Sequence, residues 1–253
     1  MGSNKLLMKS SVRKTARKVP PQIRMFVDFD GTIALEDTTD VILERFAGPE
    51  WRAIEAEWLT GRIGSRECLA RQVDLIRALP HEIDDLVDGI PLDPHFLAFS
   101  ALCRDNGIPL TVVSDGLDHV VMKMLARGGA EVPVRANRLE WRGKDRWRLA
   151  FPFSSDACQS AAGHCKCSAL DREPGPLRIL VGDGRSDFCA AETADLVIAK
   201  GALAEHCHRK GLSYLVFGNF AGAMTMLSEW LAALTELPEL NRIAEATHAS
   251  PAA

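Results

Sequence analysis

Short apolar runs alternate with longer amphipathic ones along most of this chain. The runs at 24–28, 109–114, 132–136, 177–182, 195–198 and 213–217 are rich in Val, Ile and Leu and predict strands. "IPLTVVS" and "LRILVGD" are nearly continuous in apolar residues, as strands buried on both faces are. Helical periods lie between them. "LDHVVMKMLARGG" sets Leu117, Val120, Val121, Met124 and Leu125 on one face, with Gly128 and Gly129 as a stop. "AGAMTMLSEWLAALTEL" predicts a closing amphipathic helix, and "ANRLEWRGKDRWRLAF" a hairpin turning near Gly143 with Trp141 and Trp147 packing on its arms. Strands alternating with helices predict an α/β fold, a doubly wound parallel sheet covered on both faces.

Residues 36–92 break this rhythm. They hold no convincing strand, only helical stretches such as "PEWRAIEAEWL" and "SRECLARQVDLIRAL". The pattern therefore predicts a helical insertion at 36–92 in a core made of 23–35 and 93–240. A basic, disordered arm is expected at 1–22 and a loose tail at 241–253.

The composition changes this picture only by exclusion. With 253 residues, 47% hydrophobic and 25% charged, the chain reads as an ordinary globule with one sizeable core. No apolar stretch approaches the roughly 18 residues that span a bilayer, so no membrane partner is expected. A net charge of -4, with no basic patch beyond the arm, argues against nucleic acid. Seven cysteines without an export signal point to free thiols and a cytoplasmic location. Cys158, Cys165 and Cys167, with His164 among them, form one cluster. Cys165 and Cys167 are one residue apart, against the two to four of zinc knuckles, so a structural or incidental role is expected.

The chemistry concentrates at the ends of predicted strands, where parallel sheets hold their working groups. In "RMFVDFDGTIALEDTTD", Asp28 and Asp30 follow an apolar strand. Two carboxylates there repel unless a cation lies between them; the other reading is a plain strand end running into an acidic turn. Ser114-Asp115-Gly116 ends the second strand, Lys166 lies in the loop "GHCKCSALDR", and "GDGRSD" carries Asp183 and Asp187. "GDGRSD" lacks the third glycine of a dinucleotide loop. Gly31, fourth from Asp28, misses the sixth place that a calcium loop requires.

In this order, "DFDGT", "TVVSD", Lys166 and "VGDGRSD" resemble the four motifs of the haloacid dehalogenase superfamily of phosphohydrolases, over about residues 23–217. The resemblance implies that family's Rossmannoid core, with its smaller, C1-type helical cap inserted after the first strand. "DFDGT…ED", the cap and "GDGRSDFCAAETADLVIAK" are most similar to the phosphoserine phosphatase-like branch. Within it, Cys165-Lys166-Cys167 resembles the methionine-salvage phosphatases, although the thiol pattern differs.

The implied activity is Mg²⁺-dependent hydrolysis of a small phosphorylated metabolite through an aspartyl-phosphate intermediate. A phosphotransferase or mutase using the same intermediate is the alternative. By resemblance, Asp28 is the nucleophile and Asp30 the acid and base. Metal ligation falls to the Asp28 and Asp183 carboxylates and the Asp30 carbonyl. Asp187 holds a metal-bound water, with Thr32 beside the ligands, while Ser114, the Asp115 amide and Lys166 hold the phosphoryl group. In the cap, Asp37 falls where phosphoserine phosphatases place a glutamate for the amino group. Gln72 falls on their carboxylate-binding arginine. Glutamine lacks the charged fork that grips carboxylate. Unless Arg62 or Arg71 replaces it, phosphoserine is expected to be a poor substrate and a hydroxylated or keto-bearing chain a better one.

Overall fold

The computed structural model describes residues 22–171 and 177–236. The expected arm (1–22, apart from Gln22) and the tail at 241–253 lie outside the described residues. Among those described, the strands β1 (Ile23–Val27), β2 (Leu110–Leu117), β3 (Val134–Trp141), β4 (Trp147–Ala150), β5 (Leu177–Gly182), β6 (Leu196–Ala199) and β7 (Tyr214–Val216) form one sheet. Its order is β4-β3-β2-β1-β5-β6-β7, with every pair parallel except β3 with β4.

Side chains alternate across each strand, and two apolar layers result. Met25 and Val27 of β1 join Val112, Ile179, Val181 and Ile198 on one face. Phe26, Val113, Leu180 and Val197 point to the other. The first layer is closed by α5 (Phe96–Asp105), α6 (Asp118–Arg127) and α10 (Phe220–Glu236), through Phe99, Val121 and Phe220. The second is closed by α7 (Lys166–Asp171), α8 (Phe188–Ala191) and α9 (Gly201–Lys210), through Leu170, Ala190 and Leu203. This is the doubly wound α/β sheet. All five residues assigned to the inner face around α6 are buried.

Four short helices fill the interval after β1: α1 (Thr38–Phe46), α2 (Trp51–Leu59), α3 (Ser65–Val73) and α4 (Pro80–Asp88). Their interval is pinched at its base. Ala34 bridges Leu92, Leu35 N–H donates to the Pro91 carbonyl at 3.0 Å, and Asp93 N–H to Ile33 at 2.8 Å. The chain leaves β1 for β2 on one side and later crosses to β5 on the other. The strand order therefore reverses at β1, where Asp28 N–H donates to the Val181 carbonyl at 2.8 Å. Such a reversal opens a crevice beyond the strand ends.

Several elements differ from the expectation. The stretch 65–79 is helical only to Val73, because Pro80 restricts Leu79 to extended backbone and opens α4 instead. The strand expected at 132–136 and the first hairpin arm are one strand, β3, with Trp141 opposite Trp147. Trp147 packs in the core and donates its indole N–H to the Ala78 carbonyl, but Trp141 stays 53% exposed. Finally, β2 runs on through Ser114, Asp115 and Gly116, with its register against β3 shifting between Val113 and Leu117.

Candidate active site

The crevice at the reversal collects the loaded strand ends. Its walls include Asp28, Asp30, Asp115, Gly116, Asp183, Arg185 and Ser186 from the core side. The insertion adds Asp37, Asp40, Glu55, Trp58, Ser65, Leu69 and Gln72, from the cap of α1 and from α1, α2 and α3. The pocket holds a cavity of about 160 Å³.

At the centre, the buried Lys166 ammonium lies 2.7 Å from Asp28 Oδ1 and 2.8 Å from Asp187 Oδ1, and donates to Ser186 Oγ at 3.1 Å. Lys166 begins α7 rather than sitting in a loop. Burial works against its charge, but the Asp187 and Asp28 carboxylates outweigh it and hold the pKa above that of a free lysine. Asp28 is pushed well up by burial, then by Asp187, against the pull of Lys166. Asp183 is also raised, by burial and then by Asp187. Added positive charge would relieve both.

The donor set suits a hard cation. Carboxylate oxygens of Asp28, Asp183 and Asp187 all lie within 4.8 Å of one another. An all-oxygen set of this kind suits Mg²⁺. Thr32 Oγ1 donates to Asp183 Oδ1 at 2.8 Å and fixes that carboxylate. Gly31, at φ +67°, passes so close that a Cβ there would lie 2.4 Å from Asp183 Oδ2. Only glycine fits both that backbone and that gap. Asp187 is held within the chain as well: besides Lys166, it accepts from the Asp183 and Gly184 amides at 3.2 and 3.4 Å.

Asp30 stands on the pocket side. The Thr38 amide and hydroxyl both donate to its Oδ1, at 2.8 and 2.6 Å. Burial, then the Asp37 carboxylate, push its pKa up to about 7. Ser114 Oγ, 3.5 Å from Asp30 Oδ2, accepts from the Gly116 amide at 2.9 Å. The Asp115 carboxylate is enclosed, accepting from Ser65 Oγ, from Asn137 Nδ2 at 3.0 Å and from the His164 amide at 2.7 Å. Its side chain ties three segments together.

Asp37 and Gln72 both reach the pocket, but neither is free. Asp37 caps α1 by accepting from the Asp40 amide at 3.0 Å, and Gln72 Nε2 donates to Glu55 Oε2 at 2.8 Å. Arg71 does not replace the missing fork, because Glu57 holds its guanidinium at 3.0 and 3.2 Å. Arg185 is the one cation among the described lining residues, and its Nη1 donates to the Leu59 carbonyl at 3.0 Å. Thr38, Glu55, Ser65, Asn137 and Ser186 escaped the sequence reading. They act across the tertiary structure, and no local pattern marks them.

A crevice at a sheet reversal, with carboxylates from two strand ends around a buried lysine, defines a class. The haloacid dehalogenase-like hydrolase model matches residues 25–192, and the chain belongs to that family. It is a phosphatase of the family, as its relatives are. It is 31% identical over 211 residues to the 2-hydroxy-3-keto-5-methylthiopentenyl-1-phosphate phosphatase of Brevibacillus brevis, covering 81% of this chain and 95% of that one. The enzyme of the same name from Geobacillus kaustophilus is 33% identical over 208 residues, covering 79% and 92%. Among solved structures, a phospho-aspartyl intermediate analogue of phosphoserine phosphatase shares the fold with a TM-score of 0.59 and 21% identity, covering 79% and 95%. Phosphoserine phosphatase from T. onnurineus does so with a TM-score of 0.62 and 16% identity, covering 84% and 97%. No helix among the described residues is long and apolar enough to cross a membrane.

Proposed function

We propose that this chain is a cytoplasmic, Mg²⁺-dependent phosphatase for a small phosphorylated hydroxy-ketone, working through an aspartyl-phosphate on Asp28. One observation carries this reading: the buried Asp28 carboxylate, 2.7 Å from Lys166, shares a crevice with Asp30, whose pKa is about 7. Asp28, Asp183 and the Asp30 carbonyl would hold Mg²⁺, whose charge offsets that of the phosphate dianion and the carboxylates.

Asp28 attacks phosphorus, and the P–O bond to the leaving alkoxide breaks as Asp30 gives it a proton. Asp30, now a carboxylate, takes a proton from the water that attacks the aspartyl-phosphate. Inorganic phosphate leaves, and both carboxyl groups return to their starting states. Thr38 orients one oxygen of Asp30 and leaves the other to carry the proton. Lys166 balances charge on nucleophile and phosphoryl group, while the Ser114 hydroxyl and the Asp115 amide donate to phosphoryl oxygens. Asp187 positions Lys166 and the Asp183 turn.

The helical side supports the substrate class. Asp37, Asp40 and Glu55 face the pocket, against one cation among the described lining residues, Arg185, whose Nη1 donates to the Leu59 carbonyl. A substrate carboxylate meets repulsion there, whereas Trp58 and Leu69 offer apolar wall to a carbon chain. The Brevibacillus and Geobacillus relatives are named for a keto phosphoester of this kind.

Phosphate release from a panel of phosphorylated hydroxy-ketones, sugars and amino acids, with Mg²⁺ and then with excess chelator, tests the reading. Turnover confined to the Mg²⁺ arm and led by hydroxy-ketone phosphates is expected. Full turnover in chelator overturns the metal role, and transfer to a sugar hydroxyl in place of release to water makes it a phosphotransferase.

A further inference from the structure

The segment 151–165 connects β4 to α7 without regular secondary structure. Connections of that length inside a compact domain need something to hold them. This one also carries Ala161 at φ +46°, a backbone conformation a side chain tolerates only where its surroundings demand it. Ala161 N–H donates to the Cys158 carbonyl at 3.0 Å, and its own carbonyl accepts from Arg66 N–H at 3.2 Å. Gly163 N–H donates to Ser65 Oγ at 3.3 Å. The segment thus touches the start of α3 and delivers Lys166 into the crevice.

Thiols gather on this segment. The sulfurs of Cys158, Cys165 and Cys167 all lie within 4.8 Å of one another, with 3.2 Å between Cys165 and Cys167. A fourth sulfur, Cys189 of α8, comes from beyond the "GDGRSD" turn to 2.9 Å from Cys167. In a tetrahedral zinc thiolate site with Zn–S near 2.3 Å, sulfurs stand about 3.8 Å apart. Cys158, Cys165 and Cys167 therefore stand near the spacing of three ligands on one ion, and Cys189, which approaches through Cys167, is the fourth thiol at hand. The Ala162 amide donates to Cys158 Sγ at 3.5 Å, the kind of N–H contact that supports a thiolate ligand. Neighbouring His164 aims its Nδ1 at the Ser114 carbonyl at 3.1 Å.

We infer that Cys158, Cys165, Cys167 and Cys189 form a zinc thiolate site that ties the 151–165 segment to α8 behind the catalytic lysine. Knuckle spacing argued against zinc because it counts ligands along the chain. Here two of the four meet only through packing of α7 on α8. The site is separate from the Mg²⁺ carboxylates, and its donors are soft where theirs are hard. Binding releases the thiol protons to solvent, so zinc is held more weakly in acid. Its role is to fix the backbone that presents Lys166 on one side and receives α3 on the other.

Metal content, read without substrate, separates this inference from the phosphatase reading. The full chain, produced with zinc in the medium and purified under reductant, should carry about one zinc per chain. Cys165→Ser and Cys167→Ser should each lose most of it, while Cys103→Ser, a buried thiol of the other core layer, should keep it. Cys189→Ser should hold zinc at least tenfold more weakly in competition with a chelator. Should a variant fail to fold, the wild-type protein loaded with Co²⁺ provides the second measurement, through thiolate-to-metal charge-transfer absorption and tetrahedral d–d bands. Wild-type protein that takes up neither metal overturns the site, as does a Cys167–Cys189 disulfide in the freshly isolated chain. Cys189→Ser matching wild type in the competition overturns the four-thiolate set.

Discussion

Lys166 carries the balance of charge in the crevice, because two carboxylates approach it within 2.8 Å in a place sealed from water. Replacing Lys166 by alanine leaves Asp28 and Asp187 facing each other uncompensated. Activity should fall by about 10²–10³, the loss typical of removing a charge-stabilising donor, as initial rates of phosphate release would show. Asp28→Asn should abolish turnover while keeping the fold, since an amide does not attack phosphorus and carries no charge to repel Asp187. Residual activity above about one per cent of wild type, with an unchanged circular dichroism spectrum, would remove Asp28 as nucleophile. Asp30 sets the pH dependence. Its folded pKa of about 7 lies well above that of a free carboxyl, so the proton needed by a leaving alkoxide is present below pH 7 and lost above it. The rate on an alkyl phosphoester should decline as pH rises through about 7, and an aryl phosphate, whose leaving group needs no acid, should lose that limb.

At the level of elements, the register shift in β2 and the segment before α7 shape the end of the crevice around Ser114 and Lys166. The shift in register between Val113 and Leu117 turns the chain so that Ser114, Asp115 and Gly116 meet the crevice. Gly116 is required there, because a Cβ would lie 2.5 Å from Asp30 Oδ2. Asp115 then joins β2, β3, α3 and the thiol-bearing segment through Asn137, Ser65 and the His164 amide. Asn137 is fully buried and also donates to the Asp115 carbonyl at 2.6 Å. Asn137→Ala leaves a buried carboxylate and carbonyl short of a donor. It should cost about 1–3 kcal/mol in urea unfolding, whereas truncating the exposed Trp141 should change the midpoint little.

Across the whole molecule, the crevice is a meeting of opposite chemistries. On the proposed reading the sheet side takes the phosphate around Lys166, and the helical side presents Asp37, Asp40 and Glu55 with Trp58 and Leu69. Phosphoserine brings a carboxylate to a wall without a free fork, since Gln72 is bonded to Glu55 and Arg71 to Glu57. Its kcat/KM should rank at least tenfold below that of a phosphorylated hydroxy-ketone. That factor corresponds to about 1.4 kcal/mol in the transition state, and the reverse order would refute this account of the pocket.

The chain's linear pattern was enough to determine the class of fold and the chemistry of the strand ends. Apolar runs fit only strands buried on both faces, and carboxylates at their tips announce themselves by local cost. Asp28, Asp30, Asp115 and Asp183 are legible in this way, because each lies where an apolar strand stops, whereas Ser114 and Lys166 take their roles from the resemblance of the motif order. What the tertiary structure decided are contacts between distant segments. The two Thr38 bonds to Asp30 arise from the pinched neck of the insertion, and the Lys166–Asp187 pair from packing α7 against the "GDGRSD" turn. Cys189 beside Cys167 belongs with them. Periodicity records which face of an element is buried, but not which neighbour it is buried against. Partners across the crevice, and the pKa values they impose, therefore emerge only once the sheet has closed and excluded water.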